Sequence, residues 1–211
     1  MQKKTGLFHK IALFFGDNSP FMTQVGRIAA LAVLNLCWLL CTLPVITGGA
    51  ALTALYTVLP ELNTLSYTGA FRRFFQVFPR RLRDTLLPWV ATVVILAGLA
   101  AAWHTVLSAN LTDNFAAMTP LLLVSCLLLF TVLWLFPLLA LRRERGLAAL
   151  AAAFLMGLRE LWRSAGMTVL AVVALLLPLW CAETSLVMVG LWFLFGFSPI
   201  AWLILRLTAF R

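Results

Sequence analysis

Chemistry in this chain would have to come from very few side chains. Among 211 residues there are 2 histidines, 4 cysteines and 7 acidic residues. Cys37 and Cys41 share a helical face at i, i+4. A metal site wants three or four N, S or O ligands, and that face offers no others. With Cys126 and Cys181, they read as small apolar packing residues. His104, Asp113 and Glu183 all fall near ends of apolar segments. Brought together they could form a small polar cluster for hydrolysis or group transfer. Acid–base work needs at least two such groups within hydrogen-bond reach, which sequence spacing does not provide. His104 alone reads as an interfacial residue. Gly48-Gly49 is too short, and too apolar in context, to cradle phosphate. The expectation is a non-enzymatic protein with no catalytic, cofactor or metal residues.

What must position any site is a set of apolar elements. Hydrophobic residues make up 63% of the chain and charged residues 11%, with mean hydropathy +1.01. A soluble domain is about half apolar and cannot hide so much hydrocarbon in one core. The net charge of +9 lies largely in short arginine runs between apolar segments. That is the pattern of loops facing anionic headgroups, and it excludes a nucleic-acid-binding face. Residues 1–211 therefore read as one integral membrane domain, all-α and polytopic.

Residues 1–25 form an N-terminal amphipathic segment. Leu7, Phe8, Ile11, Phe14 and Phe15 fall on one side of a helix over 5–15, suited to the membrane surface. The basic start could lead a signal peptide. However, the apolar run begins late, near Ile28, and more membrane sequence follows, so cleavage is not expected. Five spans are expected, at about 28–47, 86–107, 118–141, 165–182 and 186–205. Arginines crowd 70–84, 142–163 and the C-terminus, whereas the turns 108–117 and 182–186 have none. The arginine-rich connections and the C-terminus should thus be cytoplasmic. Two possibilities remain for the first stretch. Residues 28–68 could form a hairpin, giving six spans. Alternatively, 28–47 crosses once from an outer N-terminus and 50–68 lies at the inner surface. A weak repeat of apolar runs ending near Pro44, Pro137 and Pro199 favours the single crossing.

Two amphipathic cytoplasmic segments are expected. In 70–84, Phe71, Phe74, Phe75 and Phe78 recur at i, i+3, i+4, i+7, with Arg72, Arg73 and Gln76 opposite. Pro79 should end that helix and open another, carrying Arg80 and Arg81. These phenylalanines and arginines are candidate contacts for lipid or for a cytoplasmic partner. In 147–163, Leu147, Leu150, Phe154, Leu158 and Leu161 make the apolar stripe. Within the spans, Asn35 reads as a hydrogen-bonding link to a neighbouring helix. Ionisable groups are missing from the span centres, which argues against ion-coupled carriers and proton pumps.

The stretch from Asn35 to Tyr56 carries a pattern of its own. Asn35-x-x-Trp38, Leu43-Pro44-x-x-Thr47-x-Gly49 and Ala54-Leu55-Tyr56, followed by Phe74-Phe75-x-x-Phe78, resemble the signature of the YesL-like family. These are small bacterial integral membrane proteins grouped as a domain of unknown function. Ala50 stands where the family often has Pro, and Pro79 interrupts a segment usually richer in Lys and Asn. The resemblance implies the bacterial cytoplasmic (inner) membrane and an accessory or regulatory role in carbohydrate uptake beside ABC permease subunits. The competing expectation is a carrier for a small neutral solute.

Overall fold

The computed structural model describes residues 20–109, 115–142, 146–184 and 196–208, with the isolated residues 187, 190 and 192. The expected helix over 5–15, Asp113 and the side chain of Glu183 lie outside what is described. The described elements are all helical: α1 Pro20–Thr42, α2 Gly48–Val58, α3 Tyr67–Ser108, α4 Phe115–Leu141, α5 Gly146–Arg159, α6 Leu161–Thr184 and α7 Phe197–Thr208. Short 3-10 turns at Val45–Thr47 and Leu59–Asn63 flank α2. Among the described residues, four stretches are long and apolar enough to cross a membrane: Thr23–Thr42, Val45–Leu62, Tyr67–Ser108 and Met118–Leu141. The apolar run inside 186–205 is described only from residue 196 apart from isolated positions, as the start of α7.

Hydroxyl groups sit in these apolar helices without breaking them. Thr42, Thr53, Thr85, Thr92, Ser125 and Thr131 each donate to the carbonyl four residues back. Each hydroxyl is thereby satisfied within its own helix, as hydrocarbon surroundings demand.

α1 stops at Thr42 because Pro44 can neither donate nor continue the turn. The Thr47 hydroxyl shares its proton between the carbonyls of Cys41 (2.6 Å) and Pro44 (2.8 Å), tying the turn shut. The chain then folds back, since α1 packs against both α2 and the 59–63 turn. Residues 20–62 therefore pack as a helical hairpin.

α3 corrects an expectation. It runs without a break from Tyr67 to Ser108 through Pro79 and Pro88. Ser66 caps it, its hydroxyl accepting from the Gly69 N–H at 3.2 Å. Pro79 is exposed, so the carbonyl that it deprives of a donor can be met from outside the bundle. Buried Phe74, Val77 and Thr85 hold the helix to the core on both sides of it.

The apolar stripe of 147–163 is mostly exposed: Leu147, Phe154 and Leu158 on α5, and Leu161 at the start of α6. The buried face is Ala149, Ala153 and Gly157, and it runs back along α4. A Cβ on Gly157 would sit 3.1 Å from Phe130, so small residues set that close approach. Beyond Glu160 the chain turns into α6. Ser164 accepts from Trp134 Nε1 at 2.9 Å and donates to the carbonyls of Gly157 or Glu160. The Arg159–Arg163 corner thus lies alongside α4 rather than beyond its end.

Candidate functional site

Two features gather the residues that their types and spacing single out: a cavity inside the bundle and an exposed strip on α3. The cavity begins with the turn. Gly49 has no space for a side chain, because a Cβ there would stand 2.7 Å from Trp89 Cγ. Trp89 lies across Gly48 and Gly49 and donates from Nε1 to the Val45 carbonyl at 2.7 Å. Its ring meets Phe136 of α4, with centroids 5.7 Å apart. This clamps the hairpin to α3 and α4. Ala54, Leu55 and Tyr56 on α2 are buried in the core that results. Leu43, at the bend, is 74% exposed and contributes no packing there.

Asn35 and Trp38, one turn apart on α1, face α7. The Ser198 hydroxyl donates to Asn35 Oδ1 at 3.1 Å, and both residues are buried. The Trp38 ring stacks on Phe197 with centroids 4.0 Å apart and an interplanar angle of 3°. Trp38 Nε1 is buried and has no hydrogen-bond partner among the described residues. Asn35, Trp38, Tyr56, Phe136, Phe197 and Ile200 are among the residues lining a cavity of about 350 Å³. Sequence reasoning identified the first three and missed Trp89, Phe197 and Ser198. An aromatic that follows Pro88 inside a span was the one available hint of Trp89.

The strip on α3 contains the candidate contact residues, and the fold divides them. Phe74 is fully buried and cannot be an exposed anchor, and Phe78 packs against the core. Arg73 makes a two-point pair with Glu61, Nε to Oε2 at 2.8 Å and Nη2 to Oε1 at 3.0 Å. Arg81 donates to the carbonyls of Leu139 (3.2 Å) and Ala140 (3.1 Å), capping the end of α4. Phe71, Arg72, Phe75 and Arg80 remain exposed. Phe71 and Phe75 touch, with centroids 4.9 Å apart.

The turn, the cavity-lining residues of α1 and α2, and the α3 strip all fall in one continuous segment. Residues 31–103 match the family model described as protein of unknown function, DUF624. The YesL-like resemblance holds over that segment. No curated protein and no solved structure matches the chain. The DUF624 segment ends inside α3, so α4, α6 and α7 supply the far walls of the cavity.

No group of three or more metal-ligating side chains occurs among the described residues. His104 is exposed on α3.

Proposed function

We propose that this protein is a non-enzymatic, multi-pass protein of the bacterial cytoplasmic membrane that assists or regulates a carbohydrate ABC importer. The observation that carries the reading is the division of labour on α3. Phe74, Arg73 and Arg81 are used internally, while Phe71 and Phe75 stand exposed beside Arg72 and Arg80. Exposed aromatics next to arginines are the side chains most often found at the centre of protein interfaces. The same strip suits the bilayer boundary, with phenylalanine in the acyl region and arginine at phosphates. On this reading the arginine-rich connections and the C-terminus are cytoplasmic.

The test is co-purification with permease subunits under gentle detergent. Retention by the native chain and loss in Phe71→Ala/Phe75→Ala, with thermal stability unchanged, is the expected result. Isolation of the native chain alone under the same conditions would sink the idea. The cavity favours a second reading, a carrier for a small neutral solute. Uptake by proteoliposomes holding this chain alone would support the carrier and count against the accessory role.

A further inference from the structure

The cavity has a chemistry that the accessory role does not employ. It is about 350 Å³, within the range of small-molecule sites. Leu52, Val132, Leu133, Ala171, Ala174 and Ile204 give it hydrocarbon walls. Asn35 Oδ1 is engaged by Ser198. Trp38 Nε1, by contrast, is buried with no acceptor among the described residues. A sugar presents a hydroxyl on nearly every carbon and would find too few partners here. Asn35 and Tyr56 add polar side chains among the described lining residues, but most of the wall is hydrocarbon. An empty cavity would forfeit dispersion contacts on its walls. An occupant that is mostly hydrocarbon suits this lining.

We propose that this cavity binds the acyl chain of a lipid. Its methylenes fill the space between α1, α2, α4, α6 and α7. The outer faces of the same helices point to the source. Leu36 and Leu40 on α1, and Val172 and Val173 on α6, are exposed hydrocarbon. A chain that surrounds its helices can enter without crossing water. A phospholipid ester and an unesterified fatty acid share this chemistry.

The test uses the full chain in detergent with two photoreactive probes of equal chain length. One is a phosphatidylglycerol with a diazirine in its acyl chain, the other a diazirine fatty acid. Cross-linked peptides are mapped by mass spectrometry. Labelling should concentrate on peptides bearing Trp38, Phe136 and Ile200 rather than on the exposed outer half of α3. Ala174→Phe, which fills the cavity, should abolish that enrichment, and Ala171→Phe serves if the first variant is not monodisperse. Labelling by the phospholipid assigns the site to bilayer lipid, and labelling by the acid alone assigns it to free fatty acid. Labelling spread evenly over apolar faces, or unchanged in the filled variants, overturns the proposal. None of these variants touches Phe71 or Phe75, so this result and that of the permease experiment are independent.

Discussion

Gly49 has room for a hydrogen atom and nothing larger, because the Trp89 ring occupies the position of a side chain. Gly49→Ala must push that ring off the turn and loosen its bond to the Val45 carbonyl. The expected loss is about 1–3 kcal/mol, typical of overpacking. Gly26→Ala, with no described atom within 4 Å of the new methyl, should be neutral or slightly stabilising. Thermal unfolding in detergent compares the two. A Gly49→Ala variant as stable as Gly26→Ala would mean that Trp89 does not clamp the turn. At this scale the motif was legible but its partners were not. Asn35-x-x-Trp38 stood out by residue type. What those side chains meet, Ser198 and Phe197, lies more than 150 positions away. Nothing local in the sequence encodes that meeting.

Helices α3 and α5 were harder to read than the residues within them. Pro79 suggested a boundary because, in isolation, it removes a donor and crowds the preceding turn. Core contacts on both sides of it override that preference. The leucine stripe of α5 was legible from its spacing, but the face that packs is Ala149, Ala153 and Gly157, because close approach of apolar helices selects small residues. The arginines of α3 divide by what lies beside them, which only the folded chain reveals. Arg81→Ala removes two charge-assisted bonds from the last turn of α4. Amide exchange over Leu138–Arg142 should quicken roughly tenfold or more, since such bonds are worth about 1.5–3 kcal/mol. Arg72→Ala, on the exposed side, should leave that exchange unchanged. Equal exchange in both variants would remove Arg81 from the structural role given to it.

Across the molecule, the hairpin decides how the first half of the chain is arranged. The Glu61–Arg73 and Val45–Trp89 contacts lie 16 residues apart on α3, about 24 Å of helix. Residues 45–62 therefore run antiparallel to the first half of α3, as they do to α1. α3 continues beyond Trp89, and α4 returns beside it, with Trp103 Nε1 donating to Ser125 at 3.0 Å. The start of α1 and the 63–66 turn consequently share one end, and Ser108 lies at the other. Composition alone indicated apolar helices in a membrane, but the folding back of the first stretch depended on which surfaces pack, and those are tertiary facts. Labelling of intact cells with a membrane-impermeant maleimide tests this arrangement most directly. The 4 native cysteines are first replaced, and single cysteines are then placed at Gln24, Ser66 and Ser108. Protection at 24 and 66 with labelling at 108 is expected. Labelling at 24 with protection at 66 would mean that the first stretch crosses only once, and would contradict the hairpin on which the fold is built.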